Sequence, residues 1–135
     1  MRALIATILT ASFFMIACKK GSNPASPVYF GKWEVRRVYG GNILPADSVY
    51  KPGNGNILQL NSDSTYKSYT TNKLSGQGVF HIRKNAFKSG TNSYDELYYD
   101  SDTSFGSVIL FNGDTLTIRP IMPDISTTAY LNIQN

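Results

Sequence analysis

The chain has 135 residues, a formal net charge of +4 and 41% hydrophobic residues, which is enough for one folded domain and too little for two. Its basic residues are scattered over different predicted elements, whereas nucleic-acid binding needs a concentrated basic stripe, so we exclude nucleic acid as a partner. The single cysteine excludes an intramolecular disulfide.

Residues 1–17 have the pattern of a secretory signal peptide. Arg2 precedes an apolar stretch over residues 3–16, which is shorter than the about 20 residues that a membrane-spanning helix needs. The sequence Met15-Ile16-Ala17-Cys18 resembles the lipobox of bacterial lipoproteins. That resemblance implies cleavage before Cys18 and acylation of its thiol with fatty acyl chains such as palmitate, so that membrane lipid is the first expected partner.

Residues 18–27 are predicted to form a flexible, lipidated tether, because they are polar, contain two prolines and have no hydrophobic period. Nine extended residues reach at most about 30 Å, which is enough to hold a domain clear of the lipid headgroups. Lys19 is not the aspartate that commonly retains lipoproteins at the inner membrane. The resemblance therefore implies a location in the cell envelope, at the outer membrane and facing the periplasm.

The remaining domain, residues 28–135, is predicted to be all-β. Trp33, Val35, Arg37 and Tyr39 alternate with other residues in a first strand, so one face of that strand is expected to be largely apolar. Further along, three predicted strands cover residues 57–60, 65–71 and 76–82. The turn formers Asn61-Ser62-Asp63-Ser64 predict a hairpin between the first two of these, and Gly76-Gln77-Gly78 indicates a bulge or a close backbone approach.

The second half of the domain contains four more predicted strands, at residues 95–99, 104–111, 115–119 and 126–133. Asn112-Gly113-Asp114 is the strongest hairpin signal in the chain. In the last strand the alternation places Ala129, Leu131 and Ile133 on one face. Eight short antiparallel strands predict a barrel or a sandwich, and we favour a barrel because closure removes exposed edges. Such a barrel is either filled by side chains or holds one small ligand.

The triplet Gly31-Lys32-Trp33 resembles the Gly-x-Trp signature of lipocalins. Residues 57–66 and 113–118 are similar to the hydrophobic strand with its acidic turn, and to the late hairpin, of lipocalin-like lipoproteins from bacteria of the Bacteroidetes type. The resemblance covers most of residues 28–135. It implies an antiparallel eight-stranded lipocalin-like barrel in which Trp33 is a plug or core residue and Gly31 allows a tight entry into the first strand.

No catalytic residue, metal ligand or cofactor is predicted, and the protein is not expected to be an enzyme. His81 has no neighbouring metal-ligating companion in the sequence. Asp95, Glu96, Asp100 and Asp102 lack the spacing of a calcium loop and are expected to form a solvated acidic loop.

The nine tyrosines are expected either to line a cavity or to pack the barrel and its rim. With the family resemblance, this predicts a binding protein for a small, partly hydrophobic ligand, with Arg37 or tyrosine hydroxyls orienting a polar group. The candidate lining residues are Val35, Arg37, Leu58, Leu60, Tyr66 and Phe105. The alternative is a solid barrel whose loops, over residues 40–56 and 84–102, dock an envelope protein. A void of roughly 300 Å³ or more would favour the first hypothesis.

Overall fold

The computed structural model describes residues 29–42, 47–102, 104–122 and 124–133, and the predicted signal peptide, Cys18 and tether lie outside these ranges. Within them every regular element is a β-strand and no helix occurs. The strands are β1 (Gly31–Tyr39), β2 (Ser48–Val49), β3 (Ile57–Leu60), β4 (Thr65–Thr70), β5 (Lys73–Ser89), β6 (Asn92–Tyr99), β7 (Ser107–Asn112), β8 (Thr115–Pro120) and β9 (Thr127–Asn132).

Strands β1 and β3 to β9 close into one antiparallel barrel. Each strand pairs with the next in chain order, and β9 returns to pair with β1 from Trp33 opposite Asn132 to Tyr39 opposite Thr127. The short strand β2 adds to β1 at Arg37 and Val38. Because closure satisfies the backbone groups of both outer strands, it leaves no long exposed edge. The predicted all-β, antiparallel eight-stranded barrel is confirmed.

Strand directions define two ends of the barrel. Short turns at residues 61–64, 90–91 and 113–114 lie at the end where the chain enters through Tyr29, which we call the closed end. The long connection before β3 and the connections after β4, β6 and β8 lie at the other end, which we call the mouth end. Both predicted hairpins are confirmed, since β3 pairs with β4 and β7 pairs with β8 across the expected turns.

Strand β5 is much longer than the predicted strand at residues 76–82. Its first part pairs with β4 up to Val79, and the part from Phe80 onward pairs with β6. The expectation that residues 84–102 form a loop is therefore wrong, because most of this segment is a hairpin of β5 and β6. A register shift between Arg83 and Phe87, with Asn85 at a φ of 53°, interrupts the alternation that would have revealed the strand.

A register shift also divides β1, between Val35 and Arg37. Val35 and Val38 line the same cavity although they are three positions apart, while Arg37 lies exposed on the outer face. An extra residue in a strand reverses the side-chain alternation beyond it. The predicted single apolar face of this strand is therefore wrong beyond Val35.

The face of the last strand that carries Ala129, Leu131 and Ile133 is the outer one. Tyr130 packs against the core, and with Thr128 it lines the cavity, whereas Leu131 is 37% exposed. The amphipathic tyrosine takes the inner position because its ring contacts apolar neighbours while its hydroxyl stays within a polar cavity.

The core fills the closed end of the barrel around Trp33, which is 2% exposed. The Trp33 indole packs edge-on against Phe111, with ring centroids 5.7 Å apart, and its Nε1 donates a hydrogen bond to the Tyr29 carbonyl at 2.9 Å. Tyr29 contacts Phe111 in the same way at 5.0 Å. These three rings close this end of the barrel. Gly31 begins β1 with a φ of 142°, a conformation that favours glycine.

Candidate functional site

A cavity of about 490 Å³ occupies the mouth end of the barrel. Its aliphatic lining lies on β1 and β3, at Val35, Val38, Ile57 and Leu58. Concave sites that bind small molecules usually combine such an apolar wall with a few polar groups.

Tyrosines form the aromatic part of the wall. Five of them line the cavity: Tyr50, Tyr66, Tyr69, Tyr99 and Tyr130. The rings of Tyr66 on β4 and Tyr99 on β6 are tilted against each other, with centroids 4.7 Å apart. Together these rings offer a broad apolar surface with hydroxyl groups at its edges.

Small neutral polar groups complete the lining. Ser68, Thr70, Ser75 and Thr128 supply hydroxyls, and the Ser75 hydroxyl donates to Ser68 Oγ at 3.3 Å. Asn56 contributes an amide whose oxygen accepts a hydrogen bond from the Thr71 backbone at 3.1 Å. Among the described residues, no acidic or basic side chain lines this cavity.

The hydroxyls of Tyr66, Tyr99 and Tyr130 are held in their neutral form. Burial raises the pKa of Tyr130 to about 12. Burial, with the electrostatic repulsion from the ionisable hydroxyls of Tyr130 and Tyr66, also raises the pKa of Tyr99. Burial and the Asp100 carboxylate raise the pKa of Tyr66. These hydroxyls therefore donate and accept hydrogen bonds without carrying charge at neutral pH.

Asp100 lies behind one wall of the cavity at the mouth end. Its carboxylate accepts a hydrogen bond from the Val79 backbone at 3.1 Å and one from the Tyr66 hydroxyl at 3.4 Å. A Cβ on Gly78 would lie 2.1 Å from Asp100 Oδ1, so a larger residue at this position would displace the Asp100 carboxylate. Of the two alternatives predicted from Gly76-Gln77-Gly78, the structure shows the bulge, because Ser75 is an extra residue between Leu74 and Gly76 in the pairing of β5 with β4.

The structure brings part of the predicted lining set together. Val35, Leu58 and Tyr66 line the cavity, while Leu60 lies in the core of the barrel at 2% exposure. Phe105 is 58% exposed on the connection between β6 and β7.

Arg37 lies outside the barrel wall. Its guanidinium donates to both carboxylate oxygens of Asp47, with Nε 2.6 Å from Oδ1, and lies 5.0 Å from the centroid of the Tyr39 ring. The register shift in β1 accounts for this placement. Tyr99 and Tyr130 were not among the candidate lining residues predicted from the sequence. The feature that pointed to them was the high tyrosine content of the chain.

A polar cluster at the closed end involves residues expected to be solvated. The Tyr29 hydroxyl donates to Asp95, and the Lys84 ammonium lies 3.1 Å from the same carboxylate. Lys84 also lies 4.1 Å from the centroid of the Tyr29 ring. The cluster joins the first described residue of the chain to β5 and β6.

The predicted solvated acidic loop is therefore wrong for Asp95 and Glu96, which belong to strand β6. Glu96 is buried and accepts a hydrogen bond from Tyr98. Because successive side chains of a strand point to opposite faces, Asp95 and Glu96 lie on opposite faces of β6. Asp95 contacts Tyr29 and Lys84, and Glu96 contacts Tyr98.

In the described parts of the chain, no group of three or more His, Cys, Asp or Glu side chains is placed to hold a metal ion, and His81 is exposed. No helix among these residues is long and apolar enough to cross a membrane. In comparisons with protein family models, with curated proteins and with solved structures, no match to this chain was found.

Proposed function

We propose that this protein is a lipocalin-like lipoprotein, anchored to the outer membrane through acylated Cys18, that binds a small, partly hydrophobic ligand in the cavity. The observation that carries the proposal is the cavity of about 490 Å³ with an aliphatic wall, five tyrosines and several hydroxyls. Its volume lies within the about 300–1,000 Å³ range of small-molecule sites. Burial of apolar ligand surface would contribute about 25 cal/mol per Å², and the hydroxyls would orient polar groups.

Protein purified from its own host tests this proposal directly. Native mass spectrometry is expected to report the acyl chains on Cys18 and, in the same spectrum, a non-covalently bound small molecule. A bare thiol would contradict the anchor. An empty protein that also fails to bind any hydrophobic fluorescent probe would contradict the binding function.

A cavity-filling variant links binding to this site. Val38→Trp places a large ring in the cavity wall, so probe binding is expected to fall at least about tenfold because the ligand loses its space. Val49→Trp is the matched control, since Val49 is 79% exposed and is not among the residues that line the cavity. Equal probe binding by both variants would place the binding site elsewhere.

The second candidate function is docking of an envelope protein, and the exposed apolar side chains at the mouth end favour it. Phe105 is 58% exposed, and Ile121, Met122 and Ile125 on the connection between β8 and β9 are 46%, 40% and 47% exposed. Crosslinking in the host would support this function if it recovers one stoichiometric partner that is lost in the double variant Ile121→Ser, Ile125→Ser. Recovery of the same partner by both proteins would contradict docking through this connection.

A further inference from the structure

We propose that the cavity selects uncharged amphiphiles that carry hydroxyl or similar hydrogen-bonding groups, and that it rejects carboxylates of the same size. This selectivity rests on the proposed binding function and names the class of ligand for the same site.

The first argument is the chemistry of the lining. The described lining side chains are aliphatic, phenolic, hydroxyl or amide groups, and none is a lysine, arginine or histidine. A carboxylate entering this cavity would lose its hydration without meeting a cation.

The second argument is the placement of two charged side chains, those of Arg37 and Asp100. Arg37 is held outside the wall by Asp47 and does not line the cavity. Asp100, which touches the Tyr66 hydroxyl at 3.4 Å, is itself negative. A carboxylate bound beside Tyr66 would therefore have a like charge and not a cation as its neighbour.

The third argument is that the cavity offers many neutral hydrogen-bonding groups. Ser68, Thr70 and Thr128 supply hydroxyls, and the phenols of Tyr99 and Tyr130 stay protonated because burial raises their pKa values. A hydroxyl group can both donate to and accept from such groups. An alcohol that enters the cavity therefore exchanges its hydrogen bonds to water for hydrogen bonds to these groups. A carboxylate can only accept hydrogen bonds, and it keeps its negative charge.

Three probes with the same alkyl chain measure this selectivity at pH 7.5: 1-decanol, decanoate and decylammonium. Isothermal titration of the mature protein is expected to give a Kd for decanol at least about 100-fold lower than for decanoate, with decylammonium also weaker than decanol. Decanoate or decylammonium binding as tightly as decanol would overturn the selectivity and leave the binding function intact. If none of the three probes binds, the binding function itself fails, and the selectivity with it.

A charge placed in the wall provides the complementary test. Ser68→Lys introduces an ammonium among the lining residues, so the affinity for decanoate is expected to rise at least about tenfold relative to decanol. Ser62→Lys, on the exposed turn at the closed end, is the matched control and should leave the ratio unchanged. Thr70→Lys, at an exposed position of the same cavity, is the second variant if Ser68→Lys does not fold. An unchanged ratio in a folded wall variant would overturn the proposal.

Discussion

Glu34 is a buried carboxylate that holds an outer connection of the barrel against strand β1. Its side chain accepts hydrogen bonds from the backbone amides of Gly53 at 3.1 Å and Gly55 at 3.3 Å, and it pairs with Arg36. Burial by itself would raise the pKa of Glu34, but the two amides and the guanidinium together lower it. The ionised carboxylate is therefore the form that the fold stabilises.

Glu34→Gln is expected to lower the free energy of unfolding at pH 7 by about 1–3 kcal/mol, because the charge-assisted hydrogen bonds weaken. A lowered pKa gives stability that is present above the unfolded value of about 4.3 and is lost as the pH falls through the folded value. Urea unfolding between pH 3 and pH 7 should show a smaller pH dependence for the variant. Asp114→Asn, on an exposed turn, is the control, and equal losses in both variants would contradict this role of Glu34.

The contribution of Tyr130 to the free energy of unfolding depends on pH in the opposite direction to that of Glu34. Its pKa is raised by burial to about 12, whereas a tyrosine in the unfolded chain has a pKa of about 10. Its contribution to stability is fully present below about pH 10 and is lost as the pH rises towards 12. Tyr130→Phe should therefore lose less stability than the natural chain between pH 9 and pH 11 in urea unfolding. Parallel losses in the two proteins would contradict the shifted pKa.

At the scale of the elements, the turn between β4 and β5 shows a conflict between sequence and conformation. Thr71 and Asn72 link the paired residues Thr70 and Lys73, and their φ angles are 51° and 63°. Two residues with positive φ are typical of a type I′ hairpin turn, which favours Asn-Gly. A β-branched residue is unusual there, which is why the sequence did not predict this hairpin.

Thr71→Asn is expected to raise the free energy of unfolding by about 0.5–1 kcal/mol, because asparagine tolerates the left-handed conformation better than threonine. The backbone amide of residue 71 would keep its hydrogen bond to Asn56. Urea unfolding measures the change, and Thr70→Asn on the neighbouring strand is the control that should bring no gain. Loss of stability in Thr71→Asn would contradict the turn geometry.

At the scale of the whole molecule, the barrel has a definite polarity. The chain enters at the closed end, where Tyr29 is tied to Lys84 and Asp95, and the cavity lies at the mouth end. A lipid anchor on Cys18 would therefore attach the barrel to the membrane from its closed end. Averaged over the motion of the flexible tether, the closed end would then lie nearer to the bilayer than the cavity does.

Fluorescent labels on vesicle-bound, acylated protein test this orientation. A label on Ser62→Cys, in a closed-end turn, should be quenched by a quencher in the bilayer more strongly than a label on Thr71→Cys, in a mouth-end turn. The physical reason is that quenching falls steeply with distance from the membrane. Equal quenching at both positions, or stronger quenching at Thr71→Cys, would contradict the proposed orientation.

Short-range sequence patterns were sufficient to predict most of the strands and two of the hairpins. The alternation around Trp33, the turn formers at residues 61–64 and the Asn112-Gly113-Asp114 signal each act within a few residues, so each can be interpreted from the sequence alone. The candidate cavity was only partly predictable. Val35, Leu58 and Tyr66 follow from alternation, whereas Tyr99 and Tyr130 do not.

The sequence by itself determined the all-β class and the apolar face that carries Trp33 and Val35, because both depend on local periodicity. Only the tertiary structure decided the pairing of β9 with β1, the register shift that turns Arg37 outward and the cavity shared by β1, β3, β4, β5, β6 and β9. These features depend on contacts between residues far apart in the chain. One inserted residue reverses which side chains face inward, and periodicity within a single strand does not reveal where that residue is accommodated.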